Sequence, residues 1–325
     1  MNLTDVYNII IETFELSKSY FFNSENRIFH LYLVSSLVLA FYVFIKSKVK
    51  KSFLSYVFDK RVWTSKSAIN DYLIFCFNNL IKVLLIGPYL ILGLYIAFYL
   101  QENLVQWFGF PRRSLSLTQT ILFYTISLTI INDFLSFIIH RAMHKIPLLW
   151  EFHKVHHSAT TMNPITQYRI HPIELILNNL RGLIGFGLVT GVFDYLSNHE
   201  LDTLVFMGAN IFTFLFMFFG ANLRHSHIKL KYPKFIEYIL ISPYQHQIHH
   251  SKKTKHHDKN FGSKFAFWDY IFGSLVISEQ TNSVRFGLDE DQNDYKTFTG
   301  LITQPFVKVY QQFFSKIKKL FLNKT

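Results

Sequence analysis

Residues 140–157 read HRAMHKIPLLWEFHKVHH and hold five of the chain's fifteen histidines. About ninety residues later, HQIHH at 246–250 repeats the His-x-x-His-His spacing of His153, His156 and His157. On a helix, residues three and four apart share a face, so each box turns its imidazoles roughly one way. His140 and His144 are likewise four apart. Imidazole suits borderline metals such as iron and zinc. The eight boxed residues His140, His144, His153, His156, His157, His246, His249 and His250 exceed what one ion can bind. At four to six ligands per ion the natural count is two ions. Without metal, a run of buried neutral imidazoles would need a partner for every ring nitrogen.

Other residues fall into place around the boxes. His225, in NLRHSHI, is a ninth candidate ligand, whereas His227 lies on another face. His171, in RIHPIELI, is a candidate ligand or an outer neighbour of one. Glu174 is positioned to hold a ring N–H in the way metal-bound histidines usually require. Asp133 lies two helical turns before His140 on the same face and is expected to orient His140 or His144. Arg181, inside an apolar run, reads as structural. His256 and His257, in KKTKHHDKN, are expected in a solvated loop, away from the metals.

The elements that must carry these residues are apolar. Half the residues are hydrophobic, and Phe alone accounts for 36 of the 325. The net charge is +12. Basic blocks beside apolar runs point to a membrane with lysines on the cytoplasmic side, and not to nucleic acid. The single cysteine, Cys76, excludes an intramolecular disulfide and a cysteine-based metal site. The N-terminus lacks a basic start and a small-residue cleavage site, so no removable signal peptide is expected.

Apolar runs cover 29–45, 72–100, 117–139, 174–195 and 201–221. The loop 46–66 between the first two has seven Lys or Arg against one Asp. The run 72–100 contains Asn78, Asn79, Lys82 and Pro88 and is expected to be one kinked span in preference to a shallow hairpin. The last two runs, joined by SNHE, are expected to form a hairpin that returns the chain to the side it left. The expected fold is all-α: a multi-pass transmembrane bundle of about four to five spans. A helical cap at its cytoplasmic face carries both histidine clusters. Residues 1–115 form an N-terminal membrane region with no assigned motif. Residues 116–280 form the catalytic region, and 281–325 an amphipathic tail lying along the surface.

Taken together, HRAMH, WEFHKVHHS, RIHPIE, RHSHI and SPYQHQIHHS, followed by DKNFGSKFAFWDYIFGS, resemble the fatty acid hydroxylase/sterol desaturase superfamily over about 130–276. The resemblance implies an integral membrane oxygenase with two iron ions, zinc substituting in purified material. It implies hydroxylation or desaturation of a lipid C–H bond (sterol, fatty acyl or ether lipid) with dioxygen and electrons from a separate reductase or electron-transfer protein. The eight boxed histidines carry over as ligands, and His225 matches the histidine of a His-Ser-Asn motif whose Asn is here His227. Asp258, Asn260 and Gly262 match an Asp-x-Asn-x-Gly motif expected to brace the ligands from behind.

On this reading the metals do the hard chemistry and the protein supplies an apolar slot, orientation and exclusion of water. A bacterial inner membrane and the endoplasmic reticulum fit equally well. Two readings from other classes stand beside it: a histidine-rich metal transporter, which would place ligands near the midplane of its spans, and an inactive relative that binds lipid.

Overall fold

The computed structural model describes residues 3–197, 200–281 and 283–322. The helices are α1 (Leu3–Phe22), α2 (His30–Lys46), α3 (Phe53–Val57), α4 (Lys60–Trp63), α5 (Lys66–Ile81), α6 (Leu92–Phe108), α7 (Leu117–Lys145), α8 (Pro147–His157), α9 (Pro172–Leu196), α10 (Ile211–Phe218), α11 (Pro243–His249), α12 (Phe267–Ile271) and α13 (Phe298–Leu322). The strands among the described residues are the two-residue β1 (Val205–Phe206) and β2 (Ala209–Asn210), paired antiparallel. Among the described residues three helical stretches are long and apolar enough to cross a membrane: Lys66–Ile86, Leu117–Lys145 and Pro172–Leu196; His30–Lys46 is a shorter apolar helix.

α7 begins at a capping box, with Ser116 Oγ accepting from the Gln119 amide and Gln119 Oε1 from the Ser116 amide. Its 29 residues give a rod of about 43 Å, longer than the ~30 Å hydrocarbon core of a bilayer. The final turns, which hold His140 and His144, can therefore stand clear of the apolar layer. α7 runs antiparallel to α9. The Tyr124 hydroxyl meets Thr190 Oγ1 at 2.9 Å, and Thr120 Oγ1 donates to Ser197 Oγ at 3.2 Å.

The run 72–100 is split. α5 loosens into a wide turn at Lys82–Ile86 and a tight one at Gly87–Tyr89 before α6 begins. The path nevertheless keeps its direction. Asn78 Nδ2 donates to the Ile170 carbonyl just before α9 at 2.9 Å. Farther on, a Cβ at Gly187 would lie 2.7 Å from Gly93 O, and one at Gly191 2.6 Å from Ala97 O. α5 and α6 thus make one kinked passage along α9, as the sequence predicts, with glycines letting α6 approach closely.

The expected fifth span does not form. Residues 201–210 run as a strand hairpin turned at Met207 (φ 52°) and Gly208 (φ 85°), and α10 has only eight residues. That is about 12 Å of helix, too short to cross a bilayer. Apolar composition alone suggested a span, but Gly208 takes the turn and Asn210 caps α10 through the Phe212 amide (3.0 Å). The return to the histidine end is irregular chain packed on α7 and α2. The Leu204 amide donates to Thr125 Oγ1 (2.8 Å), Thr129 Oγ1 meets Asn210 Oδ1 (3.3 Å), and Phe214 packs edge-on against Tyr32. Asn198 and His199 of the expected SNHE joint lie outside the described residues.

At the histidine end, buried Arg169 joins three elements. Its Nη1 pairs with Asp71 at 3.0 Å, its Nη2 donates to Ser158 Oγ at 2.8 Å, and its Nε to the Val155 carbonyl at 3.0 Å. The tail is more firmly held than expected of a surface element. Leu301 is fully buried, Lys308 pairs with Asp291 and Asp294, and Gln312 donates to Glu151 at 2.7 Å.

Candidate metal centre

The final turns of α7, helix α8, the turn 221–225 and α11 bring nine histidines together in two adjoining groups. One is His140, His144, His153, His157 and His249; the other is His156, His225, His246 and His250. Within each group the nitrogens lie within 4.8 Å of one another. The division follows helical geometry. In each His-x-x-His-His box the first and last residues are four apart and point together, while the middle one is rotated away. His153 and His157 stay in one group and His156 crosses to the other; His246 and His250 stay together and His249 crosses back. Each box thus lends its middle ring to the other's group.

Each orienting contact is made from behind the ring. Nδ1 of His140 lies 2.8 Å from Phe261 O, Nδ1 of His249 2.8 Å from Lys259 O, and Nδ1 of His156 3.1 Å from Arg169 O. A carbonyl can only accept, so these rings carry the proton on Nδ1 and turn the Nε2 lone pair inward. Glu174 Oε2 sits 3.0 Å from His153 Nδ1, without the alignment of a hydrogen bond. Asp258 Oδ1 is 3.7 Å from His144 Nδ1, while its Oδ2 takes Lys145 at 2.6 Å.

The donor set fits metal. His144, His153, His157 and His249 have buried Nε2 atoms with no partner. In the second group Nε2 of His225 lies 3.3 Å from that of His156 and 3.1 Å from that of His246, which lies 3.1 Å from that of His250. Nitrogens about 2.0–2.1 Å from one tetrahedral ion stand about 3.3 Å apart. Burial pushes His153 and His156 down to about 3, with the His153 ring adding to the effect at His156. Burial first, and neighbouring rings second, hold His157, His225, His246, His249 and His250 well below the usual histidine range. Neutral imidazole is the form that binds metal.

Several expected roles change. His171 stands outside both groups: its Nδ1 caps α9 by accepting from the Ile173 amide at 3.1 Å, and its Nε2 faces Ile302 O at 3.1 Å. No ring nitrogen is left for an ion. Asp133 braces no histidine. It accepts from the amides of Lys264 (2.9 Å) and Phe265 (3.2 Å) and from Trp268 Nε1 (3.1 Å), and so anchors the loop behind His140. His256 lies outside both groups but is buried and not solvated, 3.2 Å from Thr281 Oγ1. His227 faces the Tyr56 carbonyl at 2.7 Å.

The 258–262 loop is a device the sequence marked without explaining. Asp258 (φ 57°) and Asn260 (φ 56°) are left-handed, a conformation Asn and Asp tolerate better than most residues. These turns flank the carbonyl of Lys259 that faces His249. Asn260 locks the loop to Val276 and Gln245. Gly262 has no room for a Cβ, which would meet Phe265 O at 2.5 Å. Asp269, unassigned in the sequence reading, accepts from the amides of Phe261 (2.8 Å) and Gly262 (2.7 Å). Its only sequence signal is an acid within an aromatic run.

Two chambers flank the histidines. One, of about 470 Å³, touches His144, His157, His249 and His250 on the side of Asp258 and Asp289–Asp291. The other, of about 300 Å³, touches His140, His153, His156, His225 and His246. This second chamber is not the expected apolar slot, since Arg27, Lys82, Arg181, Arg224 and several asparagines line it. Residues before 116 therefore help form the site.

Comparison with known proteins agrees with this geometry. Residues 125–274 match the model of the family described as fatty acid hydroxylase. The chain is 26% identical over 177 residues to the ornithine lipid hydroxylase of Rhizobium tropici, covering 54% of this chain and 48% of that protein. It is 24% identical over 164 residues to the alkylglycerol monooxygenase of Caenorhabditis elegans, covering 50% and 29%, and 25% identical over 166 residues to that of Xenopus tropicalis, covering 51% and 33%. The chain thus spans about half the length, or less, of these relatives. No solved structure matches it. Residues 125–274, which carry all nine clustered histidines, are thus the part of the chain that is similar to the fatty acid hydroxylase family.

Proposed function

We propose that this chain is a membrane oxygenase that hydroxylates or desaturates a lipid C–H bond, with the nine clustered histidines holding two iron ions. The observation that carries the reading is the convergence of buried, neutral ring nitrogens into two adjoining groups, with Nε2 of His144, His153, His157 and His249 left without a partner. Related lipid hydroxylases and monooxygenases, and three helices able to cross a membrane, support it. When bound, the iron pair supplies dioxygen activation: for hydroxylation RH + O2 + 2 e⁻ + 2 H⁺ gives ROH + H2O, the electrons coming from a separate carrier.

The protein's own work is positional. Carbonyls of Arg169, Lys259 and Phe261 fix the ring tautomers, and Glu174 sets its Oε2 3.0 Å from His153 Nδ1. Burial of the rings keeps bulk water from the reacting carbon. We place the histidine end in the cytoplasm. The basic 46–66 segment packs there, through Ser65 to Thr161 (2.8 Å) and Tyr56 O to His227 (2.7 Å).

The test is metal analysis with lipid-dependent oxygen consumption. We expect two ions per chain and a lipid product shifted by about sixteen or two mass units, as oxygen insertion or loss of two hydrogens requires. One ion or fewer, in protein that loses none on purification, would refute the two-metal assignment. For sidedness, a cysteine at exposed Lys255 in a Cys76→Ser background should resist impermeant reagents in intact cells, and one at exposed Arg113 should react.

A further inference from the structure

The chamber on the His140 side has a charge pattern that a purely apolar substrate does not explain. Arg27, Lys82, Arg181 and Arg224 line it, and Glu174, set against His153, is the carboxylate in its wall among the described residues. None of the four cations is ion-paired to a carboxylate among those residues. Among the described residues Lys82 is held by the Tyr20 hydroxyl and ring. Arg181 Nη1 donates to Asn132 O at 2.8 Å, while its buried Nε has no partner. Arg224 is 3% exposed and uses Nε and Nη1 on the carbonyls of Ala221 (3.0 Å) and Ser263 (2.7 Å). Asp133 lies near them, but backbone amides and the Trp268 indole occupy both its oxygens.

Arg224 is buried, Arg181 and Lys82 are half-buried and Arg27 is exposed at the rim. A cation held away from water with no carboxylate in hydrogen-bond reach is costly, and in a membrane protein it marks the path of a charged ligand. The three guanidinium groups favour carboxylate or phosphate, which they can bind through paired N–H donors. The volume, about 300 Å³, is at the small end of ligand sites, enough for a headgroup and the carbons next to it.

We propose that the substrate is a lipid with an anionic headgroup, a phosphate or a carboxylate, that enters this chamber. The headgroup seats on Arg27, Arg181, Arg224 and Lys82. The same chamber touches His140, His153 and His225, so the C–H bond that is oxidised belongs to the headgroup or its nearest carbons, not to the far end of an acyl chain. The proposal rests on the oxygenase reading above and specifies its substrate class. The balance is the one given there: one oxygen atom enters the C–H bond, the other leaves as water, and an external carrier supplies two electrons.

The experiment is calorimetric titration of the metal-loaded protein in detergent with dioctanoyl phosphatidate, N-lauroylglycine, dioctanoylglycerol and inorganic phosphate. Both anionic lipids should bind about 10-fold or more tighter than dioctanoylglycerol, as expected for charge-assisted hydrogen bonds. Arg27→Gln and Arg181→Gln should each remove most of that preference while keeping the metal content and the affinity for dioctanoylglycerol. Equal affinity for neutral and anionic lipids overturns the proposal. So does inorganic phosphate binding as tightly as phosphatidate, because the site would then read the ion and not a lipid headgroup. If the anionic preference and its loss in the variants hold but no lipid supports oxygen consumption, the chamber stands as an anionic-lipid binding site and the oxygenase reading fails. If a neutral lipid is oxidised and no anionic preference exists, the reverse is true.

Discussion

His140 Nδ1 lies 2.8 Å from the carbonyl oxygen of Phe261, whose own amide is fixed by Asp269 Oδ1 at 2.8 Å. A ring on a long helix is thereby aimed by a loop more than a hundred residues away in sequence. Asp269→Ala should free the 261–262 turn and weaken metal binding about 10- to 100-fold, the usual cost of losing a group behind a metal ligand. Asp269→Asn keeps one acceptor oxygen and should lose less. Competition with a chelator measures both, and unchanged affinity in Asp269→Ala would show that the loop does not aim the ring.

Three residues of the segment 249–258 should separate by role. His249 lies in the first histidine group with its Nε2 buried and unpartnered, so His249→Ala should remove metal and activity together. His256 hydrogen-bonds Thr281 outside both groups. His256→Ala should keep both metals and cost about 1 kcal/mol of stability. Asp258, 3.7 Å from His144 Nδ1 and salt-bridged to Lys145, should fall between. Metal content and oxygen consumption at matched expression read all three. Metal loss in His256→Ala equal to that in His249→Ala would extend the site into the loop.

The histidine boxes were legible because a ligand's chemistry lies in residue type and its direction in helical spacing. The exchange of middle rings between groups was not, because it depends on how α8 and α11 face each other. Asp133 misled for a related reason. It shares a face with His140 on α7, yet loop amides that the sequence does not place beside it claim its oxygens. The run 201–221 misled through composition, since hydropathy cannot distinguish a span from apolar chain packed on α7 and α2. The cationic chamber was scattered over Arg27, Lys82, Arg181 and Arg224, residues joined only by the fold.

Acid should destabilise the metal-free protein steeply. His153 and His156 fall to about 3 in the folded state, against about 6.5 for free histidine. Between those values the unfolded chain binds protons that the folded one refuses, so stability drops as pH falls below about 6.5. Each such ring contributes up to about 1.4 kcal/mol per pH unit. The shifts at His157, His225, His246, His249 and His250 share this sign. Thermal midpoints of chelator-treated protein between pH 7.5 and 5 should fall more steeply than those of His153→Phe. Parallel curves would mean that the His153 ring is solvated and takes up its proton in the folded protein as it does in the unfolded chain.

The seam between α6 and α9 permits a test within one helix. A Cβ at Gly187 would lie 2.6 Å from Ile96 Cβ and 2.7 Å from Gly93 O, whereas one at Gly182 has nothing within 4 Å. Both glycines are in α9, and alanine carries the better helix propensity at either site. The difference between the two substitutions is therefore contact with α6. Gly187→Ala should push the helices apart and cost about 1–3 kcal/mol, the range for overpacking a filled interface. Gly182→Ala should be neutral or stabilising. Because α6 continues the passage begun by α5, which carries Asn78 and leads into Lys82 in the chamber wall, Gly187→Ala should also disturb ligand binding there. Thermal unfolding in detergent compares the pair. Equal midpoints would mean that α6 does not pack on this face of α9 and that the kinked passage is misplaced.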